Sequence, residues 1–220
     1  MEILPGVHAV QLVGSVGYLI IEDRLTLIDA GFTGSHLPLA SYLRRIGRSL
    51  GEIATVICTH SHADHVGGVR GIVGGRSVDV LMHPADAAQL NATLRDVFLH
   101  STPSRLAGLL VRGPRNPGPL RDGELLPMMG GLEVMHTPGH TPGTICLYAR
   151  AHRVLFVGDA LQVISGKLSG PSHVFSADRR LALRSTARLA DLDVEAIFFA
   201  HYAPWRQDPR LALRELAERT

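Results

Sequence analysis

The ten residues Thr59–Gly68 (THSHADHVGG) constrain this chain more than any other stretch. They place four ligand-type side chains directly after the short apolar run Thr55–Cys58, which reads as a buried strand. His60 and His62 are two positions apart, so in extended backbone both point to one side. Asp64 and His65 are adjacent at a turn into a helix and are directed toward a second point. Four donors thus serve two neighbouring centres. Imidazole nitrogen and carboxylate oxygen suit zinc and other borderline divalent ions, and neither centre is complete from this segment alone. The remaining donors must come from later in the chain.

Three later residues fit that need: His140 in HTPGHTPG, Asp159 in FVGDA and His201 in FFAHY, each following an apolar run. A lone histidine at a strand end is ordinarily a satisfied polar residue. An H-x-H-x-D-H segment followed by three separated strand-end donors is not ordinary. His8, His36, His83, His100, His136, His152 and His173 are placed outside the site. His83 and His136 read as structural or supporting residues, and His136 is expected to orient a neighbouring ligand, because a metal-bound imidazole needs a partner for its other ring nitrogen. Asp29 in the string DAG is a second candidate for that supporting task, while His100 and His173 read as solvated surface.

The rest of the chain supplies a frame for these donors. Hydrophobic residues make up 45% of 220 residues, enough for one substantial core, so a single domain over 1–220 is expected. No apolar run approaches the roughly 18 residues that a spanning helix requires, so no membrane partner is expected. Lys167 is the only lysine, and the arginines are spread along the chain rather than clustered with aromatics, which disfavours nucleic acid as a partner. Met1–Val10 lacks the pattern of an export signal, and the cytoplasm is the expected location. Cys58 and Cys146 sit in apolar runs and read as buried strand residues.

Strands are expected at Val7–Val13, Gly17–Glu22, Leu25–Asp29, Thr55–Cys58, Val78–Met82, Leu132–Met135, Thr144–Tyr148, Val154–Val157 and Ala196–Ala200. Helices are expected at His36–Gly47, from Val66 to Val73, at Pro84–Leu90, from about Ser176 to Leu192, and after Asp208–Pro209. Asn91–Arg121, with the string RGPRNPGP near its end, breaks this alternation and reads as an insertion or lid. Gly17–Ala30 and Gly143–Ala160 share one scheme of glycine, apolar strand, polar turn, apolar strand and Asp-Ala. Two related halves are expected from it.

Taken with TPGHTPG, the GD pair and the final strand-end histidine, the HTHxHxDHxGG-like segment resembles the metallo-β-lactamase-fold hydrolases, especially their glyoxalase II-like branch. The resemblance runs from the strand pair ending in Asp29–Gly31 to His201. It implies an α/β fold, a four-layer αββα sandwich with a dinuclear centre. It also implies that His60, His62 and His140 hold one metal, that Asp64, His65 and His201 hold the other, and that Asp159 bridges them. Two divalent ions are expected, zinc first, with iron or manganese as further candidates. The implied chemistry is attack of a metal-activated hydroxide on an ester, thioester, lactone or related acyl group of a small-molecule substrate, with Asp64 also able to hold or relay a proton. Where many relatives have glycine after the last histidine this chain has Tyr202, which together with Phe32 is expected to touch substrate. Two rival readings stand beside the hydrolase. One is a mononuclear iron persulfide dioxygenase using His60, His140 and Asp159. The other is a non-catalytic, metal-stabilised binding protein. Oligomeric state is not legible.

Overall fold

The structure is a computed structural model that describes residues 1–90 and 113–219. The described residues fall into two compact units, 1–82 with 87–90 and 113–119, and 83–86 with 120–219. In the first unit, strands β1 (Glu2–Leu4), β2 (Val7–Gln11), β3 (Val16–Ile21), β4 (Leu25–Ile28), β5 (Ile53–Ile57), β6 (Asp79–Met82) and β7 (Gly118–Pro119) form one sheet in sequence order. β1 to β4 pair antiparallel, and β4 to β7 pair parallel. Each parallel step needs a crossover, and helix α1 (His36–Arg45) supplies the one from β4 to β5. Its Leu39 and Leu43, one helical turn apart, are both fully buried against Leu27, Val56 and Ile72. At roughly 2 kcal/mol for each buried leucine, that stripe rather than helix propensity holds α1 in place. The helix stops before Gly47, whose φ of +71° is a conformation that glycine adopts without strain.

The crossover from β5 to β6 carries α2 (Ala63–Val66) and α3 (Val69–Val73). One helix start was expected from Val66, but the pair Gly67–Gly68 divides the segment in two. Gly68 is held against the backbone that follows β4: its N–H donates to Gly31 O at 2.8 Å, and a Cβ there would lie 2.0 Å from Ala30 O. Only glycine permits that approach, so Gly68, after the histidine cluster, is a packing residue that holds this segment against the end of β4. Helix α4 (Pro84–Leu90) follows β6 with proline at its start, as expected.

In the second unit, β8 (Leu125–Leu126), β9 (Leu132–His136), β10 (Ile145–Ala149), β11 (Val154–Gly158) and β14 (Ala196–Phe199) form a sheet in the order β14-β11-β10-β9-β8. Only the β11–β14 pair is parallel. β10 and β11 are buried along their whole length, which explains their unbroken apolar runs. Helices α5 (Arg179–Thr186) and α6 (Pro209–Glu218) belong to this unit, and Leu213 and Leu216 of α6 join Tyr148, Leu155, Val157 and Phe199 in its core. Asp178 caps α5, accepting from Leu181 N at 2.9 Å, so the helix begins later than the expected Ser176 and gives way to a 3-10 turn at Ala187–Asp191. The short hairpin β12 (Gln162–Ile164) and β13 (Lys167–Ser169) was not expected.

The repeated sequence scheme is a repeated chain path. β3 and β4 form an antiparallel hairpin that ends in Asp29-Ala30, with β5 parallel beside β4. β10 and β11 do the same before Asp159-Ala160, with β14 parallel beside β11. Cys58 and Cys146 are buried free thiols, as read from their strings; burial pushes the Cys146 thiol up to about 12 and raises that of Cys58 as well. Of the expected lid, residues 91–112, including Val97, Phe98, Leu99, Leu109 and Leu110, lie outside the described residues. The remainder is not wholly irregular, since Gly118–Pro119 pairs with Leu81–Met82 as β7. Among the described residues no helix is long and apolar enough to cross a membrane.

Candidate metal centre

Strand β5 delivers Thr59 and His60 to the end of the first sheet. Asp29, beside them at the end of β4, has a left-handed φ of 59°, a conformation that an aspartate tolerates better than most residues. Its buried carboxylate accepts from Thr59 N at 2.8 Å, from Thr59 Oγ1 at 3.0 Å, and from His65 Nδ1 at 2.9 Å. Thr59 Oγ1 in turn accepts from His60 Nδ1 at 3.1 Å. One carboxylate therefore fixes two imidazoles, one directly and one through a hydroxyl. In both rings this network assigns the proton to Nδ1 and turns the Nε2 lone pair outward.

His62 has extended backbone (φ −65°, ψ 150°) and precedes α2, whose first turn carries Asp64 and His65. The His60 ring lies 4.6 Å from that of His62 and 3.9 Å from that of His65, centroid to centroid. Asp64 Oδ2 approaches His65 Nε2 at 3.8 Å. The change from strand to helix within six residues, expected from the spacing, is what gathers four donors at one sheet end.

The later donors occupy corresponding strand ends in the second unit. Asp159 follows β11, His201 follows β14, and parallel pairing sets these two ends side by side. His140 lies in the loop after β9, buried, with Nδ1 3.1 Å from Ser176 Oγ. Asp159 faces two imidazoles, Oδ2 lying 3.6 Å from His140 Nε2 and Oδ1 3.3 Å from His201 Nε2. Within the first unit, ligand-type atoms of His60 and His62 lie within 4.8 Å of each other, as do those of Asp64 and His65; within the second, those of His140 and Asp159 do the same. The donor chemistry fits a cation, because nitrogen lone pairs and carboxylate oxygens converge while the outer nitrogens of His60, His65 and His140 are held elsewhere.

Phe32 is partly exposed and its ring fills the space beside Gly14, where a Cβ would lie 2.3 Å from Phe32 Cδ2 and 3.4 Å from Asp64 Cβ. Tyr202 lies next to His201, its hydroxyl donating to Gln162 Oε1 at 3.3 Å, and lines an open pocket of about 410 Å³ with Val163 and Ala203–Gln207. His136 does not orient a ligand imidazole. It stacks on His83, with centroids 3.9 Å apart, and its Nε2 meets Pro142 O at 2.9 Å, so it braces the loop around His140 rather than the ring. Asp86, which carried no signal in the sequence beyond an ordinary acid in a helix's first turn, is fully buried and hydrogen-bonded to that same loop.

Comparison with known proteins agrees with this geometry. Residues 10–201 match the family described as the metallo-beta-lactamase superfamily. A probable metallo-hydrolase of Bacillus subtilis, YflN, is 28% identical across 99% of this chain and 92% of its own length. A hydroxyacylglutathione hydrolase of Rhizobium meliloti is 28% identical across 83% of this chain and 60% of its own. Among solved structures, the metallo-beta-lactamase family protein TTHA1429 of Thermus thermophilus superimposes with a TM-score of 0.77 at 28% identity, covering 99% of this chain and 79% of that one. TTHA1623, solved in a di-iron-bound form, does so with a TM-score of 0.68 at 25% identity, covering 91% and 93%. The chain has the metallo-β-lactamase fold and belongs to the metallo-beta-lactamase superfamily.

Proposed function

We propose that the chain is a dinuclear metal-dependent hydrolase of a small acyl substrate, with a thioester, ester or lactone as the bond broken. The observation that carries this reading is the Asp159 carboxylate, with one oxygen toward His140 and the other toward His201. That is the arrangement a bridging ligand needs. His60, His62 and His140 would hold one ion, Asp64, His65 and His201 the other, and Asp159 both. Zinc is the expected ion, and the di-iron form of TTHA1623 keeps iron as a candidate. When bound, such ions lower the pKa of water toward about 7 and polarise a carbonyl.

The chain's own residues supply position and proton handling. Asp29 and Thr59 hold His60 and His65 in one tautomer, so these donors need not reorganise during turnover. Asp64 carries an oxygen beside His65 and would hold a proton from the attacking water or the leaving group. Phe32 and Tyr202 offer partly exposed aromatic surface for the acyl or thiol portion of the substrate. Hydroxyacylglutathione, named in one relative, is a thioester, which puts thioesters first in the panel to be assayed.

The test is elemental analysis together with turnover on thioesters, esters, lactones and a persulfide. Two metal equivalents per chain are expected, with acyl hydrolysis. Asp159→Ala and His62→Ala should each lower kcat/KM by at least about 100-fold while leaving the circular dichroism spectrum unchanged, since both residues lie outside the helices and strands and outside the apolar cores. A single iron per chain with oxygen uptake on the persulfide would overturn the reading.

A further inference from the structure

The loop Thr137–Thr144 must hold His140 to a fraction of an ångström, yet its sequence is nearly devoid of apolar anchors. Two glycines let neighbouring helices press directly on its backbone. At Gly143 a Cβ would lie 2.6 Å from Asp86 N and 2.7 Å from Asp86 Cγ; at Gly139, with φ of +132°, it would lie 2.1 Å from Ala182 N. On the second side the loop is tied to the start of α5, through Asp178 N donating to Gly139 O at 2.8 Å and Ala177 N donating to His140 O at 2.9 Å. On the first side, beside the contact of His136 Nε2 with Pro142 O, the loop is held by the Asp86 carboxylate. Asp86 Oδ2 accepts from Thr141 Oγ1 at 2.7 Å, and Oδ1 accepts from Gly143 N at 2.6 Å. Thr141 N donates to Thr144 Oγ1 at 2.8 Å, which closes the loop on itself.

We propose that Asp86 is a positioning residue for the metal centre, setting His140 by gripping the residues on its C-terminal side. The claim rests on the reading of His140 as a metal ligand. Thr141 Oγ1 and Gly143 N are both donors to Asp86, so an acceptor-only carboxylate satisfies them where a neutral amide presents one acceptor and one donor. A buried carboxylate is costly unless charge-assisted hydrogen bonds compensate it, and here they do so at the loop that carries His140. A purely structural role could have been filled by apolar packing between α4 and the loop. The carboxylate instead fixes the direction of two specific bonds next to His140.

The test compares wild type with Asp86→Ala, Asp86→Asn and Thr141→Val, each stripped of metal. Melting of the stripped chains reports structure, competition against a chromophoric chelator reports zinc affinity, and the visible spectrum of the cobalt-loaded chains reports coordination. Asp86→Ala is expected to weaken zinc binding about 10- to 100-fold and to alter the cobalt spectrum, with Asp86→Asn and Thr141→Val intermediate. If Asp86→Ala does not fold, the other two variants carry the comparison. Wild-type zinc affinity and an unchanged cobalt spectrum in chains that merely melt earlier would overturn the proposal and leave the metal reading intact. A wild-type chain that binds neither zinc nor cobalt, or a His140→Ala variant that binds them as tightly as wild type, would overturn both.

Discussion

Asp29 shows how much one side chain can organise. Its two oxygens fix Thr59 and His65 directly and His60 through the threonine hydroxyl. Asp29→Ala is therefore expected to cost about 10- to 100-fold in metal affinity, measured by chelator competition, with a smaller loss for Asp29→Asn, which can still accept from one partner. An unchanged affinity in the alanine variant would mean that the histidines are positioned without it. The residues proposed as donors stood out in the sequence because metal chemistry demands particular residue types at particular spacings. Asp29 was legible through its place at a strand end. Asp86 was not, because its role arises only when α4 folds against a loop more than fifty positions away, and nothing local to PAD distinguishes it from a surface acid.

At the scale of elements, long apolar runs and proline or glycine punctuation located most strands and helices. The elements that escaped are those whose stability is tertiary. The hairpin β12–β13 has three residues per strand, and its Ile164 is exposed, so no periodicity marks it. Its turn was readable only from the pair Ser165-Gly166, both at positive φ. Helix α5 begins where Asp178 caps it, and Asp178→Ala should destabilise the chain by about 1 kcal/mol in urea titration. The stacked pair His83 and His136 makes a second, pH-dependent contribution. Burial, and then the nearby His136, lower the His83 pKa from 6.5. The unfolded chain consequently binds more protons than the folded one just below pH 6.5. This contribution to stability is complete above pH 6.5 and is lost as the pH falls toward the lowered value. His83→Gln should make the decline of the urea midpoint between pH 7 and pH 5 shallower, and an equal slope in both proteins would refute that assignment.

At the scale of the whole molecule, the fold class followed from alternation of strands with helices and from the family-like ligand string, and each unit has its own apolar core in which no ligand takes part. That separation is why loss of a ligand is expected to leave the fold in place. One feature of the second unit gives the experimenter a convenience. The backbone of Trp205, the only tryptophan in the chain, exchanges two hydrogen bonds of 2.9 Å with that of Ile197, and its indole Nε1 donates to Gln207 O at 2.7 Å. The clasp ties off the end of β14 and the short loop 200–204, which carries His201 and Tyr202. Intrinsic fluorescence excited at the indole band thus comes from a single, half-buried fluorophore tethered four residues from a proposed ligand. Titrating zinc into stripped protein should shift or quench that emission with the stoichiometry of binding, and His201→Ala should blunt the response; a flat trace in wild type would show that the loop is deaf to the metal.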